Sequence, residues 1–257
     1  MRPVHAASAQ FAGYSHLEAV ERCQAGVVEG YGPVSTGHIQ LCPQHHGRLT
    51  DILADTLRER WPETQFRLHA NVRVGLTHHR WDASSQHPEA WPYFERLAQL
   101  SQRLHAPAYT LHAGSRVTAS LDSLPGFIAR LSDLFGIPVG IEGLYPNPGN
   151  THLIATWAEY QWLLESGMPY AIDLSHLNIV ATRLRCIETM LVQELLSSPC
   201  CIEVHLSGND GRRDRHERLC NDRPWWWPLF IQYTHADATV FSEGVVEVRR
   251  PAPHHTA

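Results

Sequence analysis

Residues 205–216 read HLSGNDGRRDRH. Histidine opens and closes the stretch, and Asp210 and Asp214 stand inside it. Imidazole and carboxylate donors suit divalent ions of borderline hardness: zinc, manganese or iron. The same residue types recur in short apolar runs: His69 in QFRLHANV (65–72), His112 in AYTLHAG (108–114), Glu142 in PVGIEGLY (138–145). Asp173 and His176 follow in PYAIDLSH (169–176), His205 in CIEVHLS (201–207) and Glu243 in ATVFSEG (238–244). Each has an ordinary explanation alone. A histidine at a strand end is commonly a hydrogen-bonded rim residue, Glu142 could pair with an arginine, and Asp173 could cap a helix. Together they resist it, because buried carboxylates and imidazoles are costly unless paired or metal-bound. His69, His112, Glu142, Asp173, His176, His205, Asp214, His216 and Glu243 are therefore the candidate metal ligands. None is a cysteine, which argues against a purely structural zinc site.

Those runs must be held by repeated elements. With PVHAAS (3–8) and AGVVEGYG (25–32) they make eight candidate strands. Helical patterns lie between them: TDILADTLRERW (50–61), HPEAWPYFERLAQLSQRLHA (87–106), SLPGFIARLSDLFG (123–136), ATWAEYQWLLESG (155–167) and ETMLVQELLSS (188–198). Their apolar residues recur at three/four spacing. Gly136 and Gly167 stand where helices would end on a left-handed cap. Eight strands alternating with helices predict an α/β chain folded as a (β/α)8 TIM barrel, a single domain over 1–250, with the C-terminal helix short or absent and 251–257 a flexible tail. An open doubly wound sheet would need a switch point and a glycine-rich first turn, and neither is evident. In such barrels chemistry sits at the carboxyl ends of the strands, where these candidates lie.

In strand order the nine residues resemble the xylose-isomerase-like barrel superfamily, and more narrowly its members with an endonuclease IV-type trinuclear site. LHAGS (111–115) is similar to that family's His-Pro-Gly-Ser, and RRDRH (212–216) to its Asp-Arg-His segment. The resemblance implies that Glu142 bridges two metals, the first completed by His69 and His112, the second by Asp173, His205 and Glu243. His176, Asp214 and His216 would hold a third. VHLSG (204–208) resembles the His-x-Ala-Gly segment of the multinuclear non-haem iron oxidative branch, whose members oxidise cysteine-containing peptidyl substrates, usually with a small partner protein. DLSHLNI (173–179) is similar to the Asp-Thr-Phe-His-Met-Asn-Ile of ketose epimerases, which use one manganese-type ion on four ligands. There Glu142, Asp173, His205 and Glu243 would be the catalytic set. Gly143 stands where endonuclease relatives carry an asparagine, and their DNA-entering loops are not recognisable.

The favoured expectation is an oxidoreductase: two or three divalent ions, iron preferred over zinc or manganese, modifying a small amino-acid-derived or peptidyl substrate. A phosphodiesterase or other hydrolase, a sugar isomerase or epimerase, and a non-catalytic binding barrel are the alternatives. A net charge of −5 without a basic block speaks against nucleic acid. No apolar run reaches membrane length, and the first residues lack the apolar core of a signal peptide, so a cytoplasmic protein is expected. The six cysteines form no CxxC pair and read as buried free thiols. Trp225–Trp227 read either as a substrate or partner surface or as a helix start on the barrel wall. Arg212, Arg213, Arg215 and Arg218 are candidate anion contacts, and Ser115 and Asn209 candidate supports of the ligands. The histidine pairs 45–46 and 78–79 read as surface, and 254–255 as tail.

Overall fold

A computed structural model of the chain describes residues 2–76, 80–219 and 223–249. Eight parallel strands close into a barrel: β1 Val4–Ala7, β2 Ser35–Leu41, β3 Gln65–Leu68, β4 Tyr109–His112, β5 Val139–Glu142, β6 Tyr170–Asp173, β7 Cys201–Leu206 and β8 Thr239–Ser242. Neighbours in sequence are neighbours in space, and β8 pairs back onto β1 through Val4↔Val240 and His5↔Phe241. Strands covered on both faces lose all contact with water, so β1, β5 and β6 are buried at every residue. Helices form the outer layer: α1 His16–Gln24, α2 Asp51–Arg60, α3 Trp91–Arg103, α4 Leu124–Phe135, α5 Trp157–Glu165, α6 Leu174–Leu184, α7 Thr189–Ser197 and α8 Trp227–Tyr233.

Local chemistry sets their ends. Ser15 with Glu18, and Thr156 with Glu159, form reciprocal capping boxes that satisfy orphan N–H groups at the starts of α1 and α5. Gly136 ends α4 at φ 67°, and Gly167 follows α5 at φ 68°, both left-handed as expected. Among the described residues no helix follows β8; instead Glu247–Val248 pairs with Phe11–Ala12 beside the loop after β1. The segment 251–257 lies outside the described residues.

One strand falls elsewhere than its apolar pattern suggests. In AGVVEGYG, Val28–Glu29 and Gly32–Pro33 make a small antiparallel hairpin, and the second barrel strand is Ser35–Leu41. That strand reads as alternating rather than apolar because its two faces differ. Ile39 and Leu41 join the main apolar core, while Gln40 points across the lumen to Glu203 on β7. The helix α6, unannounced by a clean apolar stripe, starts directly on the end of β6.

Candidate metal centre

The carboxyl ends of the strands bring all nine candidates together. Each is set there by backbone: His112 and Glu142 end β4 and β5 in register, and His205 faces Asp173 across β7 and β6. His69 and Glu243 stand just past β3 and β8. Asp173 is both a strand end and a helix cap: its Oδ1 accepts from the N–H of Ser175 at 2.6 Å and of His176 at 3.2 Å. Its Oδ2 is left over and faces His176 Nε2 at 3.5 Å. Capping thus uses one oxygen of the carboxylate and leaves the other free to be a ligand.

Glu142 lies at the centre. Its Oε2 is 3.5 Å from His69 Nε2, 3.9 Å from His112 Nε2 and 3.4 Å from His205 Nδ1. Its Oε1 is 3.5 Å from His176 Nδ1. On the far side His205 Nδ1 is 3.6 Å from Glu243 Oε1, and His216 Nδ1 is 3.6 Å from Glu243 Oε2. Asp214 Oδ2 lies between His176 Nε2 at 3.3 Å and His216 Nε2 at 3.2 Å. Three groups have donor atoms close enough to share one ion: His69, Glu142 and His205; Glu142, Asp173 and His176; Asp173, His205 and Glu243.

The donor atoms themselves test whether ions fit. Glu142 Oε2, Asp173 Oδ2, His205 Nδ1, Asp214 Oδ1, His216 Nδ1 and Glu243 Oε1 are buried without a hydrogen-bond partner. An orphaned buried polar atom costs about 1–3 kcal/mol, and more when charged. Six within one cage, all lone-pair donors, are what a set of divalent cations would satisfy. The rings are oriented for it. His176 Nδ1 donates to the Gly143 carbonyl at 2.9 Å, which leaves Nε2 toward Asp173 and Asp214.

Electrostatics follow from crowding four carboxylates with five imidazoles. Burial favours the neutral ring at His69, down to about 3, and also lowers His112. Burial pulls His176 down too, but Asp173 and Asp214 overcome it and hold this imidazole well above its ordinary value. His216 is lifted to about 9 against burial, chiefly by its hydrogen bond to Asp214. Burial raises Glu243 to about 7, while its histidine neighbours hold Glu142 well below the usual carboxylate range despite burial. His205 is likewise held well above its ordinary value by Glu243 and Glu142 against burial, so without metal, protons on His176, His205 and His216 partly balance the carboxylates.

The cage opens on a cleft of about 600 Å³ lined by Gln44, Asn71, Arg80, Ser115, Tyr145 and His152, with His112, His176 and Asp214 at its floor. His112 and His216 keep 30% and 26% of their side-chain surface, so their sides of the cage are the open ones.

Several expectations change. Arg215 pairs with Asp210 and Glu217, and Arg218 with Glu29, so neither is aimed into the cage. The Glu29–Arg218 pair, which sequence reading missed, ties the loop carrying Asp214 and His216 to the hairpin after α1. Arg212 and Arg213 are exposed and cap Asp210 with their backbone N–H groups. Asn209 braces that loop through Ser175 O and Gly211 N rather than bonding to one of the nine candidates, and Ser115 accepts from Val117 N at the cleft rim. The three tryptophans form the helix start: Trp226 is buried, Trp227 begins α8, and Trp225 Nε1 donates to Asn178. His45 is buried and bonded to Ser8, not a surface residue, whereas His46 is exposed. The pairs 78–79 and 254–255 lie outside the described residues.

A polar layer below the cage was also missed. Gln40, Arg67, Thr110 and Glu203 sit inside the barrel, where bulky branched side chains are usual. Its signal was a polar residue two positions before a candidate histidine, in R-L-H (67–69), T-L-H (110–112) and E-V-H (203–205). A period of two puts both residues on the lumen face.

No protein-family model matches the chain, and no curated protein sequence does. Solved structures do match. A D-tagatose 3-epimerase-like protein superposes with a TM-score of 0.68 at 14% identity, covering 95% of this chain and 92% of its own. IolI with a bound zinc atom gives 0.64 at 13% identity over 94% and 88%, and an AP endonuclease of family 2 from Brucella melitensis gives 0.60 at 14% over 95% and 93%. The chain thus has the fold of the xylose-isomerase-like TIM barrels.

Proposed function

We propose that the chain is a multinuclear metalloenzyme acting on a small or peptidyl substrate that enters the cleft, with oxidation at iron as its chemistry. The observation that carries the multinuclear part is the convergence of nine candidate side chains, Glu142 and eight others, into one cage with six orphaned donor atoms. A single ion on Glu142, Asp173, His205 and Glu243 would leave His176, Asp214 and His216 packed together without purpose.

His69, His112 and Glu142 would hold one ion, Glu142, Asp173, His205 and Glu243 a second, and His176, Asp214 and His216 a third. Bound iron would supply redox chemistry and open positions for substrate and dioxygen. The all-N/O donor set and the exposed sides of His112 and His216 support this reading, as does the HLSG segment. The protein's share is orientation and exclusion of water. Tyr145 stacks edge-on against His176 at 4.9 Å and shields one flank. The cleft lining is mixed in charge, with Arg80, Asp82 and Asp214 all contributing, which favours a small substrate over a nucleic-acid backbone. A small partner protein is part of the proposal insofar as the substrate is peptidyl.

The second reading is hydrolysis. The same donors suit zinc, and the similar barrel IolI has been solved with a zinc atom. One experiment separates the two. Protein purified without added metal is analysed for iron, zinc and manganese, then assayed for oxygen uptake and for phosphodiester cleavage. Two or three irons per chain with oxygen uptake support oxidation. Stoichiometric zinc with phosphodiester cleavage supports hydrolysis and refutes it.

A further inference from the structure

Glu203 is wholly buried on β7, two residues before the ligand His205, on the same lumen face. It sits in no candidate ion group, yet four side chains converge on it. Arg67 Nη1 donates to Oε1 at 2.8 Å, and Gln40 Nε2 and Thr110 Oγ1 each donate to Oε2 at 3.0 Å. His205 Nε2 lies 3.2 Å from the same Oε2. A carboxylate oxygen only accepts, so that contact is a hydrogen bond when Nε2 carries the proton; Gln40 Nε2 also lies 3.1 Å from it, and when the ring binds an ion its lone pair is on Nδ1, the atom facing Glu142 and Glu243. Thr110 extends the effect. Its hydroxyl proton is committed to Glu203, so toward His69 Nδ1, 3.4 Å away, it offers a lone pair. His69 is then a donor at Nδ1 and keeps its lone pair on Nε2, facing Glu142.

Desolvating a buried charge offsets much of what its pairing returns, and replacing such a pair by apolar residues is often neutral or stabilising. Fold stability alone therefore gives weak reason for a carboxylate here. From this geometry we propose that Glu203 is the positioning residue of the metal centre: it sets the proton on His205, and through Thr110 that on His69, so that both ligating nitrogens face Glu142. The inference rests on the metal-centre reading and names the device that orients its two inner positions. The outer position, on His176, Asp214 and His216, does not depend on Glu203, because His176 is oriented by the Gly143 carbonyl.

The test titrates wild type, Glu203→Gln and Thr110→Val with Zn²⁺ against a chromophoric chelator. Outer carboxylate partners of metal-bound histidines are typically worth about 10–100-fold in metal affinity. Glu203→Gln should weaken two ions by that factor and leave one unchanged; Thr110→Val should weaken only one. Nitrogen-15 NMR of the zinc-loaded wild type should show His205 protonated at Nε2 and the signal shifted in Glu203→Gln. Because Arg67 would be left unpaired, Glu203→Gln/Arg67→Met is run beside it and should show the same two-ion loss. Wild-type titration curves from either folded variant, or equal weakening of all three ions, overturn the assignment of Glu203. A wild type that takes up no metal instead overturns the metal-centre reading itself.

Discussion

Metal uptake by this centre should be strongly pH-dependent, and the sign follows from His216. Its imidazole is held at about 9 against burial by Asp214, with Glu243 adding to the effect, so at neutral pH the metal-free protein keeps it protonated. An ion needs the neutral ring, and the proton must leave. From pH 7 to about 9, at about 1.36 kcal/mol per pH unit, this costs about 2.7 kcal/mol, or about 100-fold in affinity. His176, also raised, adds to the slope in the same direction. Affinity at the outer position should therefore rise at least about tenfold per pH unit from 7, with the His216 share of the rise ending near 9. Calorimetric titration at pH 7.0, 7.5, 8.0 and 8.5, repeated in buffers of different ionisation enthalpy, measures both the slope and the protons released. The metal-free fold should behave oppositely. The folded-state value of His216 lies above the unfolded 6.5, so its contribution is fully present below 6.5 and is lost as pH rises to about 9. A flat affinity between pH 7 and 8.5 without proton release would refute the argument, since the ring would then already be neutral.

Other expectations follow from the same geometry. His216→Ala should remove one ion per chain and leave the two that share Glu142, as elemental analysis would show. At metal concentrations about 1,000 times Kd, each ion adds about 4 kcal/mol, so a chelator should lower Tm by about 8–16 °C for each ion it removes, read by scanning calorimetry and restored by adding metal. In Gly143→Ala the new Cβ would lie 2.5 Å from the Tyr160 ring. The Tyr160 hydroxyl is anchored on Leu144 O at 2.8 Å, so relief must come from the backbone whose carbonyl orients His176. That substitution should cost about 1–3 kcal/mol in urea unfolding and weaken the outer ion.

Much of this protein was determined by the sequence alone, because short buried strands announce themselves as apolar runs and a strand end is where such a run stops. Seven of the barrel strands were legible that way, with the candidate residues at or just past their ends, as were the left-handed caps at Gly136 and Gly167. The second strand was not, since a strand lining a polar lumen alternates, and Val28–Glu29 imitated an apolar run better than Ser35–Leu41 did. Only the tertiary structure decided which arginines serve the loop instead of the cage, because pairing partners such as Glu29 and Arg218 are 189 residues apart. It alone also disclosed the layer of Gln40, Arg67, Thr110 and Glu203. The pattern of one strand says which residues face inward, but barrel closure is what brings β2, β3, β4 and β7 to a single carboxylate.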